Sequence, residues 1–307
     1  MNKQTNDNRL LKKISQTGRW KKIKPLNKGW SKDVKYHLWD NQGDEYLIRI
    51  SDISIIEKKQ KQFDILKEVE KLGINAPKPV EFGKLDDNHI YTLLTWLDGE
   101  DAEKQVVKMT NLKQYELGIE AGKIMKKLHT IPIYGIADKT WWEKYQVKIE
   151  KKVVAIKSCS IELPKRELII DYVLNNMDLV KERRSQFQHG DYHLGNMIVN
   201  HGKIGIIDFD KTGIADSYDE FKPFCWNVFK SPYFETGLID GYFDNNIPSD
   251  FFPILALYAA ESLLSHLPWA IPFGNKEIKT ALQVSSSVLE WYDNFTRIVP
   301  SWYMNKS

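Results

Sequence analysis

The sequence predicts an α+β protein in two lobes, a β-rich first lobe with one long helix and a mostly helical second lobe. Three observations carry this. Residues 20–95 are dominated by short β-branched and aromatic runs separated by turn residues. One amphipathic stripe, Ile55, Ile56, Phe63, Leu66, Val69 and Leu72, interrupts them. From Trp96-Leu97-Asp98-Gly99-Glu100-Asp101 onward, apolar residues recur at helical spacing instead. An N-terminal lobe over residues 1–95 and a C-terminal lobe over 96–307 are therefore expected, with a ligand cleft between them. A chain of 307 residues, 42% hydrophobic and 12% aromatic, has the length and the apolar content for both.

Each element has its own signal. Leu10, Leu11 and Ile14 suggest a short helix over 9–20. Strands are expected at 21–26, 34–39 and 46–50, the last two joined by an Asn41-Gln42-Gly43-Asp44 turn. Between the first two strands lies Gly29. A glycine there lets backbone N–H groups approach a phosphate, with Ser31 and Lys32 as added donors; an ordinary hairpin loop explains the same residues. Arg49 sets a cation in an apolar strand. Turned inward it needs an anion, a phosphate or a helix carboxylate; turned outward it is solvated. The helix runs over 54–72 and Gly73 ends it. Ala76-Pro77-Lys78-Pro79 is an extended connector to a strand pair at 80–83 and 89–95. Helices follow at 110–129, 143–157, 168–180, 221–229, 251–267 and 276–292.

Charge is unevenly spread. The net charge of +3 is too small to suggest nucleic-acid binding. Residues 1–97 hold 19 Lys/Arg against 13 Asp/Glu, and residues 189–307 hold 8 against 14. A basic front third suits an anionic ligand and an acidic last third a cationic one, although solvated faces segregate in the same way. Cys159 and Cys225, the only cysteines, exclude a disulfide framework and a Cys-rich zinc site. The polar start Met1-Asn2-Lys3-Gln4 is unlike a targeting segment. The longest apolar run, 251–267, is broken by Pro253, Glu261, Ser262 and His266. A cytoplasmic location with neither membrane nor nucleic acid as partner is expected.

The chemistry concentrates in Gln188-His189-Gly190-Asp191-Tyr192-His193-Leu194-Gly195-Asn196 and in Asp208-Phe209-Asp210, which a short apolar strand over 204–207 delivers. Two carboxylates and an amide at the ends of short strands suit phosphoryl transfer, which needs positioning and neutralised oxygen charge more than covalent catalysis. Asp191 would accept a hydroxyl proton. Asn196 and Asp208 would hold Mg²⁺, which takes hard oxygen ligands. Asp210 is a further ligand or a supporting group. A rival reading groups His189, Asp191, His193 and His201 into a transition-metal site of a hydrolase. It leaves Asn196 and Asp208 without roles.

These residues carry a resemblance. The Phe187–Asn196 run resembles the catalytic loop of the aminoglycoside phosphotransferase family, small-molecule relatives of the protein kinases, and Asp208-Phe209-Asp210 resembles its metal segment. Leu128-His129 at the end of a long helix, Gly213-Ile214-Ala215-Asp216 opening the helix after the metal segment, the Arg49 strand and the Thr95-Trp96-Leu97 linker fit the same pattern. The resemblance covers roughly residues 20–300 and implies a bilobal protein-kinase-like fold. It implies ATP or GTP with Mg²⁺ as cofactors, bound near Gly29, Ser31, Arg49, Thr95 and Leu97. It further implies a hydroxyl-bearing small molecule as acceptor. A cationic aminoglycoside, hence antibiotic resistance, is one such acceptor; macrolides, choline, homoserine and sugars are others. Asp219, Glu220 and Trp269 are candidate acceptor contacts, and His189 and Asp216 candidate supports of the loop, Asp216 as a helix cap.

Two departures stand out. Arg49 occupies the place where lysine is familiar. By register, Gln62 stands where a helix carboxylate is expected, with Glu57 and Asp64 nearby. They favour, as a second reading, a catalytically idle nucleotide-binding module.

Overall fold

The computed structural model describes residues 18–27, 32–133 and 139–304. They pack as two compact units. One comprises the described residues through Gly99 together with Gly205–Asp210, the other Glu100–Ile204 and the described residues from Lys211.

The first unit is a five-stranded antiparallel sheet with one helix. Its strands are β1 (Trp20–Leu26), β2 (Val34–Asp40), β3 (Glu45–Asp52), β4 (Pro79–Lys84) and β5 (His89–Thr95), ordered β1-β2-β3-β5-β4. Trp20 opens β1 where the end of a helix was expected; the rest of that helix, residues 9–17, lies outside the described residues. The β2–β3 turn is held by Asp40, whose Oδ1 accepts from the Gln42 and Asp44 N–H groups (3.0 and 2.9 Å). Helix α1 (Ile56–Lys71) buries Phe63, Leu66 and Val69, and with them Lys59. Lys59 sits four residues before Phe63 and so shares its face.

The second unit is mainly helical: α2 (Ala102–Gln105), α3 (Asn111–Leu128), α4 (Trp141–Lys157), α5 (Arg166–Asn176), α6 (Phe224–Val228), α7 (Pro232–Tyr242), α8 (Phe251–Ala270) and α9 (Asn275–Trp291). Thr140 caps α4 in a reciprocal box with Glu143. Helix α7 was not foreseen. Gly237 and Gly241 weaken its helical signal, yet packing requires them. A Cβ on Gly237 would lie 2.2 Å from Tyr115 O, and one on Gly241 2.3 Å from Ile119 O. Gly118 and Gly122 of α3 answer them from the other side: a Cβ on either would lie 2.1 Å from an α7 carbonyl oxygen. Two backbones thus touch, which only glycine permits.

Helix α8 is long and apolar enough to cross a membrane, but 67% of that window is buried within the fold. Short strands frame the polar loop. β7 (Ser185–Gln188) pairs antiparallel with β10 (Gly213–Asp216), and β6 (Glu100–Asp101), β8 (Met197–Asn200) and β9 (Lys203–Ile206) form a second small sheet. Residues 213–216 were expected to open a helix; they are a strand, and a 3₁₀ turn over Ser217–Phe221 follows.

Candidate active site

In the first unit, Arg49 lies mid-strand in β3 with its guanidinium largely buried. The anion it needs is Asp33: Nε and Nη2 donate to Asp33 Oδ2 at 3.0 and 2.8 Å. Arg49 also pairs with Asp210, and its Nη1 lies 3.8 Å from Asp208 Oδ1. Lys59 joins from α1, 2.7 Å from Asp33 Oδ2 and 3.6 Å from Asp210 Oδ1. Ser51 Oγ donates to the other Asp33 oxygen at 2.8 Å. Burial alone would raise the Asp33 pKa; Arg49 and Lys59 outweigh it and bring it down to about 2. Gln62 Nε2 donates to the Asp210 backbone carbonyl at 3.0 Å. Gln62 is thus engaged with the Asp210 backbone, and the carboxylates paired with Arg49 include Asp33 and Asp210. Asp208 has φ 65°, an uncommon conformation for a non-glycine residue and one that marks functional sites. Its side chain is 44% exposed.

In the second unit, Gln188 ends β7 and the loop turns at Gly190, φ 81°. A Cβ on Gly190 would meet Lys211 O at 2.2 Å, so glycine is obligatory. The buried Glu220 clamps the turn, accepting from the His189 N–H (2.7 Å) and the Gly190 N–H (2.9 Å). Asp191 N–H donates to His189 Nδ1 at 3.3 Å. Asn196 Nδ2 donates to Asp191 O (2.9 Å) and Oδ2 (3.0 Å). This leaves the Asn196 amide oxygen, the atom a hard cation takes, outside the loop's own bonds. Lys211 Nζ reaches Asp191 Oδ2 at 3.0 Å, and His193 Nε2 lies 3.7 Å from Oδ1. Burial would raise the Asp191 pKa, but His193 and Lys211 outweigh it and hold the carboxyl well below its usual range. Behind the loop, Leu194 N–H donates to Asn227 Oδ1 (2.8 Å), and Asn227 Nδ2 donates to the buried Glu235 (2.7 Å).

Comparison with known proteins decides the family. A model of the phosphotransferase enzyme family matches residues 22–248. The chain belongs to that family. No curated protein matches the chain in sequence. Solved structures do match in fold. The GDP complex of wild-type aminoglycoside 2'-phosphotransferase-IIIa aligns with TM-score 0.71 at 14% identity, covering 94% of this chain and 98% of that one. Aminoglycoside phosphotransferase APH(4)-Ia gives 0.68 at 15% identity over 92% and 98%. An amicoumacin kinase in complex with AMP-PNP, Ca²⁺ and Ami gives 0.63 at 14% identity over 94% of each chain. At such identities these likenesses show the fold, which is protein-kinase-like. The family makes the chain a small-molecule phosphotransferase.

Other nominated residues of this phosphotransferase fall in several places. Gly29 and Ser31 lie outside the described residues. Thr95 Oγ1 accepts from the Lys78 N–H (2.9 Å), and Leu97 packs beside Gly205. Asp216 is fully buried, bonded by Arg183 Nε (2.9 Å), Tyr258 OH (2.7 Å) and the Tyr218 N–H (3.3 Å), so it caps and braces. Asp219 faces Lys222 (2.5 Å) and Lys148 (3.5 Å) inside the fold. Trp269 is 54% exposed, its ring tilted against Phe273 with centroids 4.9 Å apart. His201 sits in an exposed turn, and among the described residues no three His, Cys, Asp or Glu side chains converge as metal ligands. The three histidines of the hydrolase reading therefore do not assemble.

Sequence reasoning missed Asp33, Lys59, Asn227 and Glu235. Lys59 had a signal, a lysine on the apolar face of a helix. The others are single polar residues whose partners lie far along the chain.

Proposed function

We propose that the chain moves the γ-phosphoryl group of ATP or GTP to a hydroxyl of a small molecule. The first unit would serve as the nucleotide-binding lobe, over about residues 1–95, and the second as the catalytic and acceptor lobe, over about 96–307. Neighbouring structures hold ADP, AMP-PNP or GDP, which supports a nucleotide as donor. The observation that carries the reading is Asp191, an ionised carboxylate on a loop braced by Glu220, with Asn196 bonded to it. Asp191 would orient the acceptor hydroxyl and receive its proton. Arg49 and Lys59 would counter phosphate charge beside the Asp208–Asp210 segment. Asp208 and Asn196, the latter through its amide oxygen, would each supply a hard oxygen donor of the kind Mg²⁺ takes. When bound, such an ion would neutralise charge on the phosphate oxygens.

The acceptor is a small alcohol. Asp219 and Glu220, first in line to bind a cationic one, are engaged inside the fold, so an aminoglycoside acceptor rests on likeness to aminoglycoside kinases. The test is nucleoside diphosphate release in the presence of Mg²⁺ across cationic, neutral and anionic alcohols. Acceptor-dependent release that vanishes in Asp191→Ala and on chelation is the expected result. Tight nucleotide binding with no transfer to any acceptor would overturn it in favour of an idle module.

A further inference from the structure

A second charged cluster lies in the helical unit. Glu261, in the middle of α8, is fully buried and meets three lysines: Lys152 at 2.5 Å, Lys148 at 3.1 Å and Lys222 at 3.5 Å. Among the described residues, Asp219 is the only other carboxylate paired with these ammoniums, 2.5 Å from Lys222 and 3.5 Å from Lys148. Asp216 lies nearby but is already matched by Arg183 at 2.9 Å. His266, pushed down to about 4 by burial and by Lys152, adds no charge near neutrality. Three cations therefore face two anions.

The three lysines are not alike. Lys152 is satisfied, with Ser265 Oγ at 2.9 Å and Glu261 O at 3.4 Å besides the carboxylate. Lys148 makes no such bonds. It lies 5.4 Å above the Trp141 ring and 5.9 Å above the Tyr145 ring, and it has the most exposed side chain of the three, 29%. The Tyr145 hydroxyl is fully buried with no hydrogen-bond partner, in the field of Glu261, Asp219 and Asp216. A buried O–H without an acceptor is costly, and the half-buried Lys148 ammonium is in excess of the carboxylates around it. One oxyanion would relieve both.

We infer that Lys148, Lys222 and Tyr145 form an oxyanion subsite, and that the acceptor is an alcohol bearing a carboxylate or similar oxyanion rather than a polycation. The inference rests on the phosphotransferase reading, and the fold links the two. Asp219 and Glu220 are neighbours on one 3₁₀ turn. Glu220 holds the His189 and Gly190 N–H groups of the catalytic loop, while Asp219 faces the lysines. Lysine suits the task, because a compact ammonium serves any oxyanion geometry.

Equilibrium binding to the full chain tests the subsite without relying on turnover. The probes are D-glycerate, its neutral amide and kanamycin, measured by calorimetry with wild type, Lys148→Met and Lys148→Arg. Glycerate should bind at least about tenfold tighter than the amide, and Lys148→Met should remove that margin while Lys148→Arg keeps it. Equal binding of glycerate and amide, or a margin indifferent to Lys148→Met, overturns the subsite. So does wild-type binding of kanamycin tighter than of glycerate. Thermal unfolding of each variant shows whether it is folded. Transfer assays with the same probes and Asp191→Asn separate the two ideas. Asp191-dependent transfer without preference for the anion sinks the subsite alone, whereas selective glycerate binding with no transfer to any alcohol sinks the phosphotransferase reading alone.

Discussion

Two polar clusters are built in opposite ways. Around Arg49 the partners come from distant places, Asp33 sixteen residues earlier and Asp210 161 residues later, and they meet inside the first unit. Around Asp191 the partners are mostly local: His189, His193 and Asn196 lie within five residues, and Lys211 follows twenty later. The first cluster buries Asp33 against Arg49 and Lys59. The second leaves its carboxylate partly open and supports it from behind through Glu220, Asn227 and Glu235. Buried balanced charge serves chiefly to hold a shape, while a braced, accessible carboxylate can act on a ligand. Substitution of the buried Asp33 should therefore read out as stability, and of Asp191 as rate.

The largest stability effect should come from Asp33→Asn. It leaves Arg49 and Lys59 short of an anion, and loss of about 3 kcal/mol is expected by urea unfolding. The effect has a pH signature. The folded pKa, about 2, lies below the unfolded one, so the stabilisation is present above about pH 4. It fades as pH falls from about 4 toward 2, where wild type and variant should converge. A variant as stable as wild type at pH 7 would show the cluster to be idle.

Glu235 tests the support behind the Gln188–Asn196 loop. Burial pushes its carboxyl up to about 8, against a partial offset from the Asn227 hydrogen bond. An acid raised in the folded state binds protons there that the unfolded chain releases, so its stability contribution is lost as pH climbs from about 4.5 to 8. Glu235→Gln should flatten that slope and leave the chain more stable than wild type at pH 8, by about 2–3 kcal/mol. Unfolding at pH 5 and pH 8 measures it, and parallel curves for the two proteins contradict it.

Gly190→Ala comes next. The added methyl meets the Lys211 carbonyl at a positive φ, which should cost about 1–3 kcal/mol and displace Asp191. Transfer rate should fall more than the melting temperature alone explains. Gln62→Ala should be the mildest, about 1 kcal/mol or less, since one hydrogen bond to the Asp210 carbonyl is lost. Nucleotide affinity should then shift only slightly.

The same contrast explains what could be read from the chain. The local bonding of the Gln188–Asn196 loop was legible because its residues lie within nine positions of one another, so spacing conveyed the arrangement. The sheet, α1 and most helices were legible from periodicity. Asp33 was not, since nothing local marks an aspartate before β2 as the partner of a strand arginine. Helix α7 was not, because Gly237 and Gly241 serve contact with α3 at the expense of helix propensity. The acidic last third suggested a cation site, yet Asp219 and Glu261 are turned inward onto lysines that sequence order scatters over 148, 152 and 222.

One paired measurement tests the central claim, that Asp191 acts in the reaction and not in holding the fold or the nucleotide. For wild type and Asp191→Asn, the nucleotide dissociation constant is measured beside the acceptor-dependent transfer rate. Binding and melting temperature should stay near wild type while transfer falls on the order of 10²–10⁴-fold. Transfer at the wild-type rate in Asp191→Asn, or loss of rate only in step with loss of nucleotide binding, would contradict it.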